Sequence, residues 1–521
     1  MSNRNLVDAL KNVSNKTTTT NGATALKSTL NMVYDMFAFA GAYRGRSDAE
    51  CITLFKNAYD QDPEYALKCL FYNRDILQGQ GERRFFRVCL NWLAQYDKDA
   101  VIRNLKFIPI LGRWDDLYCL VGTPAEEKAF DLITNQIYTD LETMAESDTT
   151  WISLCAKWLK SENSSSQETK RLAIITRNYL NLSAREYRKM LSAMRERIKV
   201  LERLMSQGRW DEIEFDKIPS RAGLLYKNVF ARHDLVKERY EKFIKDDTTK
   251  VNAKALYPYD VVEKAISLMG SGTWNWGWNS QKTVALDDTE RLAINKYWDN
   301  LTDYFNGATL NAMVVCDTSG SMLGGGGSTA PINIAVSLAM YTAERAKGPF
   351  ANHYISFSRD ARLVPIEGVD FCDKVDRIVS SNVCENTSLS SVFDLLVNTI
   401  NAYHLTEEDM PKTLIVCSDM QIDPARDNWS YGGYNSINAN FSETSLKKIR
   451  QDWMKRTSLP FPEIIYWNVN ASNNTILDDN KTGVTYVSGA SPVLFQQILE
   501  GVSGIELMIR KLDSERYKEI K

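Results

Sequence analysis

The chain is short of the residues that most often carry chemistry. It has only three histidines, His233, His353 and His404, none beside a cysteine cluster, which leaves no material for a zinc site or a serine-histidine triad. Its nine cysteines, at 51, 69, 89, 119, 155, 316, 372, 384 and 417, fall singly and in odd number without a C-x-x-C pair, the pattern of free thiols in a reducing compartment. No stretch approaches the ~18 apolar residues of a membrane span, and Met1 to Asn15 is polar, without an apolar h-region. A cytoplasmic protein with no membrane partner is expected. Charge of one sign is lacking too: 63 basic against 66 acidic residues give a net charge of -3, so the chain is no polycation that coats nucleic acid without discrimination. Any basic surface must be local.

What is present is material for more than one core, since 521 residues with 44% hydrophobic content exceed a single ordinary domain. The run Lys16 to Thr20, followed by Asn21-Gly22, reads as a flexible arm or hinge closing a polar segment 1–22. From Ala23 to Asp246 the apolar spacing is helical, as in Leu30, Met32, Tyr34, Met36 and Phe37, and then Ala66, Leu67, Leu70 and Phe71. Short turns such as Gln78-Gly79-Gln80-Gly81 join these helices, so residues 23–246 are expected to form an all-α domain of HEAT-like helical repeats. Residues 247–300, with Trp274, Trp276 and Trp278 among glycines, read as a connecting region. Between 301 and 521 the pattern changes to short apolar strands alternating with helices. Strands are expected at Ala312 to Cys316, His353 to Phe357, Arg362 to Ile366, Thr413 to Cys417, Glu463 to Asn468 and Val484 to Val487. Helices are expected at Pro331 to Ala346, Leu389 to Tyr403, Glu443 to Arg456 and Pro492 to Leu499. Buried strands alternating with helices make a doubly wound, Rossmann-like parallel sheet, whose ligand site lies at the carboxyl ends of the central strands.

At the end of the first of those strands stands Asp317-Thr318-Ser319-Gly320-Ser321-Met322, and at the end of another stands Ser418-Asp419. Hydroxyls and carboxylates are hard oxygen ligands, the set that suits Mg²⁺ or Mn²⁺. A lone D-x-S-x-S is ordinary turn chemistry. Here it follows an apolar strand and precedes a helix, with Thr387 in a later loop and Asp419 at a later strand end, so the candidate ligands are Asp317, Ser319, Ser321, Thr387 and Asp419. The glycine run Gly324 to Gly327 places a segment beside the site that could gate it. No nucleophile stands beside a base, and the glycine run lacks the Lys-Ser/Thr of a P-loop, so catalysis is not expected.

The stretch Met313 to Met322 resembles the metal-ion-dependent adhesion site (MIDAS) of von Willebrand factor A (vWA) domains. That resemblance implies the same five residues as ligands, some through water, with an acidic group of a partner completing the shell. Leu414 to Gln421 and Pro462 to Asn468 resemble an uncharacterised family of vWA proteins with a helical N-terminal half. The layout as a whole is similar to the Ro/TROVE ribonucleoprotein family, in which a ring of HEAT-like repeats closed by a vWA domain binds small or misfolded RNAs.

Two basic clusters bear on that implication. From Gln167 to His233 there are fifteen Lys or Arg against eight Asp or Glu, and Arg185, Arg188, Lys189, Arg195 and Lys199 recur at helical intervals that gather several on one face. Arg83, Arg84 and Arg87 follow a glycine turn where a helix start would favour anions. Each cluster reads equally as a solvated helix face, and the tryptophans as packing between domains rather than as stacking platforms for bases. Two functions therefore stand side by side: an RNA-binding protein with a metal-bearing partner domain, and a metal-dependent protein adaptor with no nucleic-acid role.

Overall fold

The computed structural model describes residues 14–19, 21–268, 288–305, 307, 309–324, 329–357, 359–381, 387–422, 445–470, 476–477, 483–495 and 503–521. The three tryptophans 274, 276 and 278, Cys384 and the glycines after Gly324 lie outside them. The chain divides into two compact units, residues 1–62 with 256–514 and residues 63–255 with 515–521.

The first unit is α/β. It begins with an antiparallel pair, β1 (Lys16–Thr18) and β2 (Thr24–Leu26), closed by a turn in which Gly22 takes a φ of 90°. Its main sheet has the order β5-β4-β3-β6-β7-β8, with β3 Ala312–Asp317, β4 His353–Phe357, β5 Ala361–Pro365, β6 Thr413–Ser418, β7 Glu463–Asn468 and β8 Val484–Ser488. All neighbours are parallel except β4 and β5. Every residue of β3 is buried, so both faces of the sheet are covered at its centre, which is why Ala-Met-Val-Val-Cys is apolar without alternation. Helix Pro331–Arg345 packs on β3, β4 and β6, and helix Leu389–Tyr403 on β4 and β5. Beyond the expected elements the unit has helices Phe371–Ser381 and Gly504–Leu512, and the last expected helix begins as a short 3-10 turn, Pro492–Leu494.

Three boundaries differ from the sequence expectation. Residues 16–22 are not a free arm: Thr19 is buried, accepts from Ala23 N at 3.0 Å and donates to the Ile422 carbonyl at 2.6 Å. Residues 23–62 belong with the sheet rather than with the helical half. Helix Met32–Phe39 covers the edge strand β8, where the Tyr34 hydroxyl accepts from Tyr486 N at 2.8 Å and donates to Tyr486 O at 3.1 Å, occupying backbone groups an edge would otherwise leave open. Much of the expected connector also packs here: helix Pro258–Leu268 lies against Pro331–Arg345, and Trp298 stacks on Phe371 with ring centroids 4.2 Å apart. Apolar faces such as Val261, Val262, Ala265, Ala293 and Ile294 need a core to enter, and the sheet's helices supply it.

The second unit is helical, and among the described residues it contains no strand. Its longer helices are Pro63–Arg74, Arg83–Tyr96, Glu126–Glu146, Gln167–Tyr179, Ala184–Arg197 and Ser220–Arg232. Ala184–Arg197 starts at a capping box between Ser183 and Glu186, and buries Tyr187, Leu191 and Met194 on one stripe. The chain's last residues belong to this unit, with Tyr517 donating to Asp75 at 2.8 Å and Lys521 N to Asn104 at 3.1 Å. Among the described residues no helix is long and apolar enough to cross a membrane.

Candidate metal centre and basic surfaces

The order of the sheet places a switch point between β3 and β6. The chain leaves β3 for β4 on one side and returns to β6 on the other, so their carboxyl ends lie where a doubly wound sheet opens its ligand crevice. Cys316 lies opposite Cys417 in the register, so Asp317 and Asp419 are carried to the two sides of that crevice. Both are buried. Asp317 accepts from the Ser418 hydroxyl at 2.6 Å and from Ser319 N at 2.9 Å. Asp419 accepts from Gln421 N at 3.2 Å and Gln421 Nε2 at 2.8 Å, and Ser321 also donates to it. The Ser319 and Ser321 hydroxyls stand 3.2 Å apart on a turn pinned by the buried Met322. Four of the five expected ligands are thus joined in one hydrogen-bonded group. Thr387, also buried, sits just before helix Leu389–Tyr403, and among the described residues it makes no hydrogen bond to the other four.

Among the described residues no Lys or Arg pairs with Asp317 or Asp419. Burial, and then the neighbouring Asp419, pushes the Asp317 carboxyl up, against the bonds from Ser418 and Ser319. Burial likewise raises Asp419. Two buried acids without a counter-ion are costly, and a divalent cation held by hard oxygens is the partner that removes the cost. No group of three or more His, Cys, Asp or Glu able to hold a metal occurs among the described residues. This donor set has two carboxylates, and its remaining donors are hydroxyls.

Sequence reasoning missed the residues that hold the acids in place. Ser418 also accepts from Met420 N at 3.0 Å, and Met420 takes a φ of 65°, so the chain turns back directly after Asp419. Thr19 and Asn21 of the N-terminal hairpin donate to the carbonyls of Ile422 and Gln421, bracing the same loop. No spacing rule links positions about 400 residues apart.

The basic residues separate into two kinds. Arg83, Arg84, Arg185, Arg188, Lys189 and Lys199 are exposed. Arg195 is not part of a free face. Its Nε donates to the Ala156 carbonyl at 3.0 Å and its Nη2 to Leu159 O at 2.8 Å, and burial lowers its pKa. Arg87 is committed as well, to Asp116 at 2.6 Å and Asp115 at 2.9 Å. The eight described cysteines are free thiols, and burial pushes Cys316 and Cys417, next to the acids, far up.

Two domain families of unknown function match the chain, DUF7788 over residues 311–519 and DUF2828 over residues 19–121 and 159–308. A curated relative, an uncharacterised protein of Acanthamoeba polyphaga mimivirus, is 27% identical over 94% of this chain and 85% of its own length. Among solved structures, the crystal structure of the Deinococcus radiodurans Ro (RSR) protein aligns over 94% of this chain and 100% of that one, at 12% identity and a TM-score of 0.37. That similarity is too slight to carry fold or function across.

Proposed function

We propose that this is an RNA-binding protein with a metal-dependent partner site. In this reading the α/β unit is of vWA type and holds one Mg²⁺ or Mn²⁺ at Asp317, Ser319, Ser321, Thr387 and Asp419. The helical unit, of HEAT-like repeats, holds small or structured RNA in the manner of Ro/TROVE proteins. The observation that carries the proposal is the buried pair Asp317 and Asp419, each beside a serine hydroxyl and, among the described residues, paired with no basic side chain, at the carboxyl ends of the two central strands. When bound, the cation supplies a coordination position for the carboxylate of a protein partner. The chain's own residues orient it: Ser418 and Ser319 N fix Asp317, and Gln421 fixes Asp419. Both roles are binding roles, and no reaction is assigned.

The RNA half rests on the exposed Arg185, Arg188, Lys189 and Lys199 in a chain whose net charge is -3. The commitment of Arg87 and Arg195 to internal partners favours the second reading, a metal-dependent adaptor with no nucleic-acid role. Fluorescence anisotropy with single-stranded and hairpin RNA, in Mg²⁺ and in EDTA, separates them. RNA binding that weakens steeply with salt and is indifferent to EDTA supports the first reading. Absence of binding at low salt leaves the adaptor.

A further inference from the structure

In the helical unit two adjacent aspartates lie among more cations than they neutralise. Asp116, fully buried, is saturated: Arg74 Nε reaches it at 2.7 Å, Arg87 Nε at 2.6 Å and Arg113 N at 2.9 Å. Gly112 makes room for this, since a Cβ there would lie 2.6 Å from the Asp116 carboxylate and 3.0 Å from Arg74 Nε. Asp115 is shared by three further contacts, Arg87 at 2.9 Å, Arg113 at 3.1 Å and Lys160 at 3.8 Å. The sharing is imperfect, because Arg113 Nε and Asp115 Oδ1, though close, make no hydrogen bond. Arg83 stands one turn before Arg87 on helix Arg83–Tyr96, which puts a fifth cation on the same face, where its charge acts on both Arg113 and Lys160. Among the described residues, five positive groups thus stand around these two aspartates, an excess of about three over the pair in a half-buried place.

The excess is accessible. Asp115 and Asp116 side chains are 8% and 0% exposed, whereas Arg87, Arg113 and Lys160 keep 29%, 21% and 26% and Arg83 is exposed. The acids form the floor and the cations the rim. Arg113 is fixed by lying over the Trp158 ring, 4.1 Å from its centroid, so part of the site is organised before any ligand arrives. Burial, and then Arg87, Arg113 and Arg83, hold the Lys160 ammonium below the ordinary lysine range despite Asp115.

We propose that Arg83, Arg113 and Lys160, at the rim around the committed Arg87, bind one phosphate monoester. A monoester carries about -1.5 to -2 charges near neutral pH and offers three acceptor oxygens, which matches this excess better than the single charge of a phosphodiester. Its source is either the terminal phosphate of a polynucleotide or a free phosphate compound. The site shares the helical unit with the RNA reading but does not depend on it.

Titration calorimetry on the full chain at fixed ionic strength tests this with three probes: inorganic phosphate, a 5′-phosphorylated short oligoribonucleotide, and its 5′-hydroxyl twin. Inorganic phosphate is expected to bind at one site, and the double variant Arg83→Ser/Lys160→Gln, which spares every partner of Asp116, to bind it about tenfold more weakly or less. Arg83→Glu alone, at an exposed position, is expected to weaken it as well. A preference for the phosphorylated oligomer assigns the source to a polynucleotide end, and phosphate binding without that preference assigns it to a free compound. Absence of saturable phosphate binding, or variants that bind phosphate as the parent does, overturns the proposal. RNA that still binds in that case keeps the RNA reading.

Discussion

The Ser418 hydroxyl donates to Asp317 Oδ2 at 2.6 Å across the parallel strands β6 and β3. The same oxygen accepts from Met420 N at 3.0 Å, so one side chain fixes both the acid on its neighbour strand and the turn that follows its own. Ser418→Ala removes both contacts without adding bulk. Mn²⁺ affinity is expected to fall by about tenfold, the worth of a charge-assisted bond, with the far-ultraviolet circular dichroism unchanged. Unchanged affinity in calorimetry would show that Asp317 needs no such orientation.

Tyr34 holds the edge strand β8 through both backbone groups of Tyr486, and Gly504 packs so closely on its ring that any Cβ would overlap the hydroxyl. Tyr34→Phe leaves a buried N–H and C=O unpaired, and is expected to cost about 1–3 kcal/mol in urea unfolding. Gly504→Ala is expected to cost at least as much, by overpacking. If neither variant shifts the transition, the N-terminal helix does not stabilise the sheet.

Asp115 gives the helical unit an acid-sensitive step. Burial pushes its carboxyl up, and Arg87 and Arg113 more than reverse this, leaving it below the usual range. A carboxyl with a lowered folded pKa binds fewer protons folded than unfolded, so its contribution is full above the ordinary carboxylate range and is lost as pH falls through that range to the folded value. Asp115→Asn is therefore expected to be less stable than the parent at pH 6, with the gap closing toward pH 3. A gap that is constant across pH would contradict the assignment.

The basic surface separates by side-chain commitment. Replacing Arg185, Arg188, Lys189 and Lys199 together by glutamine is expected to weaken RNA binding and to flatten its salt dependence, by up to about 0.7 in log-log slope per lost single-strand phosphate contact. Arg195→Gln is expected instead to lower stability by about 1–3 kcal/mol, because the carbonyls of Ala156 and Leu159 lose their donors. RNA binding as strong in the quadruple variant as in the parent would make that face a solvated one.

The sheet was legible where strands are apolar throughout. Burial on both faces keeps polar residues out of the middle of β3 and β6, which made the runs readable; each ends one residue later than expected, on the polar Asp317 or Ser418, while β4 and β7 begin and end as their sequences indicate. Helix Phe371–Ser381 went unread although Phe371, Cys372, Val375, Ile378 and Val379 keep helical spacing and are buried. Asp317, Ser319, Ser321 and Asp419 were legible as a group because each follows a strand end. Their supports were not: Ser418 looks like any strand-terminal serine, and Thr19 reaches Ile422 from 403 positions away. Arg195 misled for the same reason, since its partners are carbonyls 36 and 39 residues upstream, which charge spacing cannot reveal.

The most direct test is Mn²⁺ titration calorimetry on the 521-residue chain, beside Asp317→Ala with its fold checked by circular dichroism. The expected result is one site in the parent and none in the variant, which should be no less stable in metal-free buffer because a buried acid with no basic partner among the described residues has been removed. Equal Mn²⁺ binding by the two proteins, or none by the parent, would contradict the metal centre on which the proposed function rests.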